Sequence, residues 1–184
     1  AVLAWHGIGS SEITLYETSD ILTGLGINPS FFDIASFRGP EEILDLNEPL
    51  PTNLCGKFDL VIDTGTLEHC FNVGGAFKSM CELVSVGGHV LTMAPMTIIN
   101  HGFWNFSPTA YWDAFGQNGF EILLLRGVRK ENGRVEIFEV MDQAASRFAV
   151  DGETVAICCA KKISQQQFRW PIQSKYKSMM GGGA

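Results

Sequence analysis

FDLVIDTGTLEHCFN, residues 58–72, sets a short apolar run directly against a series of ionisable and amide side chains. Phe58, Leu60, Val61 and Ile62 show no alternation toward solvent, so the run reads as a central strand of a parallel sheet, buried on both faces. Asp63, Thr64, Gly65, Thr66, Glu68 and His69 then emerge at its carboxyl end, the edge at which open α/β sheets take their ligands. A loop that only meets water does not need this density of polar groups beside a glycine. Glu68 could equally cap the next helix or pair with His69.

Three more apolar runs precede turns and helix-compatible segments: AVLAW (1–5), FFDIA (31–35) and HVLTMAP (89–95). Strand alternating with helix is the mark of a sheet covered on both faces. Among the helices, residues 75–84 carry Phe77, Met80, Cys81 and Val84 at i, i+3, i+4 and i+7, with Gly87-Gly88 as the expected end. Residues 10–26 are richer in Ser and Thr, which favour caps over helix interiors, but Ile21, Leu22 and Leu25 mark a buried face and Gly26 a stop. Ser107-Pro108, a capping residue followed by proline at the first helical position, announces a helix to about Phe115.

The last third changes character. FEILLLRGV and RVEIFEV flank KENG, whose Asn-Gly is a strong hairpin signal, and TVAICCAKK follows a turn at Asp151-Gly152. The expected fold is therefore α/β: a Rossmann-like, doubly wound, mainly parallel sheet with C-terminal antiparallel strands in a three-layer αβα sandwich. Residues 1–162 form this domain. Residues 163–184 turn polar and basic and read as a tail that is flexible or docks on the body or on a neighbouring chain, a route to a homo-oligomer.

Bulk properties narrow the function. With 184 residues the chain suits one domain and one ligand crevice. A net charge of -7 disfavours nucleic acid, whose phosphates require a basic face, so a small-molecule partner is expected. Five cysteines without CxxC spacing indicate neither a disulfide framework nor a zinc knuckle, and no metal-ligand set is expected. Without a bilayer-length apolar run or a secretory leader, the expectation is a soluble cytoplasmic protein that meets no membrane. The chain opens at Ala1 without methionine, as expected of a processed or longer product.

Three further stretches could carry chemistry. In HGIGSS (6–11), Gly7 and Gly9 allow close backbone approach to a nucleotide-like ligand at a helix N-terminus, although a tight turn needs the same glycines. Asp33 lies 22 residues beyond Ser11, the spacing of a carboxylate that accepts from ribose hydroxyls; a loop cap would use it too. Asp45-Leu46-Asn47 could present a side chain to an adenine edge or simply form a turn. NHGFWNFSP (100–108) sets Phe103, Trp104 and Phe106 beside His101 and Asn105, either a pocket wall with an imidazole base or a loop anchored by aromatics.

In this order the pieces resemble the class I S-adenosylmethionine-dependent methyltransferases. FDLVIDTGTLEH is similar to the family's fourth strand and following loop, VGGHVLTMAP to its fifth, and NGFEILLLRG to the start of its terminal antiparallel pair. The likeness spans roughly residues 1–160. It is closer to a subgroup often associated with polysaccharide or cell-surface sugar biosynthesis, which has a DGGTLEHIFN-like loop and a HGFYQFSPELF-like segment where this chain reads DTGTLEHCFN and HGFWNFSPTAY. The resemblance implies Gly7 and Gly9 around the methionine part of S-adenosyl-L-methionine, Asp33 on the ribose and Asp45 with Leu46 near the adenine. Asp63, Thr64 and Gly65 complete the expected cofactor edge. Trp5 replaces the family's first-strand acid.

Methyl transfer from a sulfonium is an in-line displacement that chiefly needs alignment, worth about 7–11 kcal/mol in favourable systems. A base is needed for a hydroxyl or other weak nucleophile, and His101 or His69, supported by Glu68, is expected to fill that role toward a small-molecule or sugar acceptor. The rival readings are a non-catalytic binding or assembly module whose cofactor site is lost at Trp5 and Ser11, and an NAD-dependent oxidoreductase, which HGIGSS fits poorly because it does not complete GxGxxG.

Overall fold

The structure is a computed structural model, and it describes residues 17–36, 39–131, 134–140 and 148–180. The chain divides into two units, residues 1–45 and residues 46–184. AVLAW and HGIGSS, with Gly7 and Gly9, lie outside the described residues.

In the first unit, α1 (Thr18–Gly24) ends where Leu25 and Gly26 bond back to Ile21, Leu22 and Thr23, with Gly26 at φ +77°. That left-handed turn is the expected glycine stop. Ile21 and Leu22 are half-buried and Leu25 exposed. The run FFDIA shortens to β1 (Phe32–Asp33), which pairs in parallel with β2 (Glu42–Ile43).

The second unit is built on β3 (Phe58–Asp63), β4 (Val84–Pro95), β5 (Phe120–Glu131), β6 (Arg134–Glu139) and β7 (Thr154–Lys162). Their order is β3-β4-β7-β5-β6. Only β3 and β4 run parallel; β4–β7, β7–β5 and β5–β6 are antiparallel. Among the described residues this sheet is mostly antiparallel, which differs from the mainly parallel sheet expected. The cause is the last third of the chain, whose hairpin and returning β7 contribute three of the five strands.

Helices α2 (Val73–Leu83) and α3 (Pro108–Gly116) cover one face. Val90, Thr92 and Ala94 of β4 stand opposite Ala160, Cys158 and Ala156 of β7, all buried. Against these small residues pack Phe77 and Met80 of α2 and Tyr111, Ala114 and Phe115 of α3. Phe77 meets Phe106, Tyr111 and Phe115 edge-on at 5.8–5.9 Å, a geometry favoured by the ring quadrupoles. Each large apolar side chain buried here contributes about 1.5–3 kcal/mol.

The other face is less covered. Val61 and Asp63 share the helix side with Val90 and Thr92, whereas Leu60 and Ile62, 41% and 49% exposed, point the other way. β3 is the edge of this sheet among the described residues, and its expected two-sided burial is therefore incomplete.

Helix α2 begins two residues before the expected Gly75, because the Asn72 side chain accepts the Gly75 N–H at 3.1 Å. Asn72 is itself held by Asn47, which accepts from its backbone N–H and side-chain amide at 2.9 Å each. The helix passes directly into β4 at Val84, so Gly87-Gly88 does not end it. These glycines lie instead in a bulge, where pairing jumps from Phe58–Val84 to Leu60–His89, and Gly87 adopts φ +89°. The buried Lys162 Nζ donates to the carbonyls of Cys81 and Val84 at 2.8 and 2.9 Å, closing the C-terminus of α2.

The polar C-terminal segment docks on the body. Asn118 exchanges two hydrogen bonds with Arg169, and Gln117 exchanges two with Ile172. Asp113 accepts from the backbone and hydroxyl of Ser174, the first residue of α4 (Ser174–Met180).

Candidate functional site

The site begins where β3 ends. Asp63 Oδ2 accepts the Thr92 hydroxyl and Oδ1 accepts the Thr66 N–H, both at 2.8 Å. One carboxylate thus ties the loop to the neighbouring strand, and both its oxygens are used inside the protein. Gly65 takes φ +114°, a conformation suited to glycine, and a Cβ there would lie 3.3 Å from Glu68 Oε1. The chain then makes a single tight turn, Leu67–His69, anchored by the fully buried Leu67. Within that turn Glu68 points inward, its side chain 2% exposed, and His69 points outward at 51%.

A second loop, residues 97–107, closes over this turn. Asn105 Oδ1 accepts the Ile98 N–H at 3.1 Å, the Phe106 N–H returns to Pro95 O at 2.7 Å, and Trp104 Nε1 donates to Cys70 O at 3.0 Å. The Phe103 N–H donates to Glu68 O at 2.8 Å. Asn100 supplies the reversal with φ +61°, a region asparagine tolerates. His101 is thereby placed with Nε2 3.4 Å from Glu68 Oε1, while His69 Nε2 lies 4.0 Å from the same oxygen. The two imidazoles are 5.3 Å apart. Beside them Phe71 meets Phe103 at 5.4 Å and Trp104 at 6.2 Å, forming an exposed aromatic rim.

Among the described residues no donor reaches Glu68 Oε2. Leaving such a buried acceptor without a partner costs about 1–3 kcal/mol, more when it is charged. The Tyr111 hydroxyl is also buried without a partner among the described residues. Burial pushes that phenol well above its ordinary range, and Cys158, Asp63 and Glu68 add to the effect, so it stays neutral.

A cavity of about 370 Å³ lies between the start of α2, α3 and the docked C-terminal segment. Trp104, Phe106, Phe168 and Trp170 supply its aromatic walls, with Asn105 and Gln173 among the polar lining. Its volume falls at the small end of ligand pockets. Loop 97–107 joins the two features, since it carries His101 at one end and cavity-lining residues at the other.

The structure thus brings together Glu68, His69 and His101, with Gly65 against Glu68. Thr64 is exposed on the same loop. Asp33 ends β1 in the first unit, where its exposed side chain accepts the Ile34 N–H through Oδ1. Asp45 is half-buried in that unit, whereas Leu46 packs against the core of the second. Gly7 and Gly9 are not among the described residues. Sequence reasoning missed Thr92, Gly102 and Tyr111. A glycine directly after a candidate histidine was the available signal for Gly102, which lets the loop touch the Glu68 backbone.

No family model and no curated protein matches this chain. Among solved structures, its fold is similar to that of a Bacillus halodurans C-125 protein described as a "putative methyltransferase". The two are 12% identical, with a TM-score of 0.50 over 79% of this chain and 86% of the other. At that identity the likeness concerns the fold alone: a mixed α/β, methyltransferase-like architecture.

Proposed function

We propose that the chain is an S-adenosylmethionine-dependent methyltransferase with a Rossmann-like, three-layer organisation, transferring a methyl group to a hydroxyl or amine of a small-molecule or sugar acceptor. One observation carries the reading. On a methyltransferase-like fold, a buried carboxylate at the carboxyl end of β3 faces two half-exposed imidazoles, the constellation that proton removal from an acceptor requires.

The donor chemistry fits the cofactor. Asp33 presents an exposed carboxylate at a strand's carboxyl end, suited to accept from vicinal ribose hydroxyls. Bound S-adenosylmethionine would supply an electrophilic methyl on a sulfonium. The remaining work falls to the chain's own residues. Glu68 faces His101 Nε2, so the opposite ring nitrogen, Nδ1, takes the acceptor proton, and the carboxylate stabilises the imidazolium that results, as an orienting carboxylate does for a catalytic histidine. His69 stands beside the same carboxylate as the alternative base. Asp63 acts indirectly, by fixing the loop that carries Glu68. Phe71, Phe103 and Trp104 offer apolar faces on which a sugar or small ring can rest.

Calorimetric titration with S-adenosylmethionine and its demethylated product tests the proposal. Saturable one-to-one binding, lost in Asp33→Ala, is expected. A folded preparation that binds neither compound would overturn it in favour of a non-catalytic module.

A further inference from the structure

The three side chains that face one another at this site are also a ligand set. We propose that Glu68, His69 and His101 bind a divalent transition-metal cation, with Glu68 Oε1 and one nitrogen from each imidazole as donors. These three atoms lie within 4.8 Å of one another. Around a cation with bonds of about 2.0–2.2 Å, neighbouring donors sit about 3.0–3.5 Å apart. The His101–Glu68 separation of 3.4 Å already meets that spacing, and the 4.0 Å from His69 is within reach of it. Both rings are about half exposed and free to turn inward by the small amount required. Glu68 is not free to move, since its side chain is buried and its backbone carbonyl holds the Phe103 N–H.

An independent observation points the same way. Glu68 Oε2 is buried with no donor among the described residues, and Oε1 faces the two imidazoles. A carboxylate buried this deeply is stabilised by a cation, and none of the lysines or arginines with a described ion pair reaches it. A bound metal ion would supply the missing charge. Two imidazoles with one carboxylate suit zinc, cobalt, iron or manganese rather than magnesium or calcium, which prefer all-oxygen shells. Three protein donors leave coordination positions open toward the exposed side, where Phe71 and Phe103 form the rim. Resting on the methyltransferase reading, a further consequence is that an acceptor oxygen would occupy an open position of the loaded site and be activated there by the cation, so that the histidines act as bases in the metal-free chain alone.

Cobalt(II) titration of the full chain, without S-adenosylmethionine, tests the metal site separately from the methyltransferase reading. Saturable visible absorption at one equivalent is expected, with affinity falling roughly 10-fold or more in His101→Ala and again in His69→Ala. Zinc should displace the cobalt and abolish the colour. Both histidines are half exposed, and far-UV circular dichroism verifies that these variants fold. Absence of the cobalt spectrum in the parent chain, or unchanged affinity in the double histidine variant, would overturn the proposal. Failure of S-adenosylmethionine binding alone would leave the metal result standing and sink only the transferase reading.

Discussion

Gly102 lies against Glu68 so closely that a Cβ built on it would stand 2.7 Å from the Glu68 carbonyl oxygen and 2.9 Å from its Cγ. The loop carrying His101 can reach the carboxylate only because this position has no side chain. Gly102→Ala is therefore expected to push loop 97–107 outward, weaken the Phe103–Glu68 hydrogen bond and cost about 1–3 kcal/mol of stability. Urea unfolding should show the loss. In the cobalt titration the same variant should bind more weakly, although all three ligands remain. Unchanged stability and unchanged metal affinity would show that the close contact does not position the site.

Much of this arrangement was legible in the sequence, for identifiable reasons. FDLVID, HVLTMAP, FEILLLRGV, RVEIFEV and TVAICCAKK form strands because each is apolar, rich in branched residues and bounded by turns. Pro108 starts α3 because its fixed φ suits the first helical turn. Glu68, His69 and His101 attracted notice by their placement after strands, and the fold carries the two loops to one carboxylate. What stayed hidden depends on distant partners. Asp63 looks like a ligand-facing acid until Thr92, 29 residues later, is seen to take one of its oxygens. The polar composition after Ile163 suggests a loose tail, because composition does not register that Gln117 and Asn118 offer matching amides.

Lys162 is a buried cation that closes the end of α2 and also lies 5.9 Å from the centre of the Phe120 ring. Replacing it by methionine keeps the apolar stem but leaves the carbonyls of Cys81 and Val84 without their donor. Lys162→Met is expected to lower stability by about 1–3 kcal/mol. Lys161→Met, one residue away and facing the opposite side of β7, should change it little. Denaturant midpoints for the two variants provide the comparison, and equal midpoints would count against the capping role.

Alkaline pH should weaken the fold through its buried thiols. Burial pushes Cys81 and Cys158 from 9.0 up to about 12. In the unfolded chain each thiol ionises near pH 9, while in the folded chain each keeps its proton. Their contribution is thus fully present below pH 9 and is lost as pH rises toward 12. Burial lowers Lys162 from 10.5, which acts in the opposite sense below that pH. Cys158→Ala separates the two, since its β7 neighbours Ala156 and Ala160 already show that alanine fits this face. The variant should lose stability less steeply between pH 9 and 11 than the parent chain; parallel curves would exclude a contribution from this thiol.

The docked segment offers the last test, because the Asn118 side chain, just past α3, makes one bond back to the helix and two to the segment. Its Nδ2 donates to Ala114 O and Arg169 O, and its Oδ1 accepts the Arg169 N–H. Asn118→Ala removes all three and leaves the partly buried N–H and carbonyl of Arg169 to find water. The segment holding Phe168 and Trp170 over the cavity should then detach more often, exposing Arg169 to trypsin. Faster cleavage at Arg169, read by mass spectrometry under native conditions, is the expected outcome. Trp170 also packs on Gly74, where a Cβ would come within 2.9 Å of the ring, so Gly74→Ala should accelerate the same cleavage without touching the amide bonds. If neither substitution changes the rate, the segment is held by contacts other than these, and the cavity wall does not depend on the Asn118 amide.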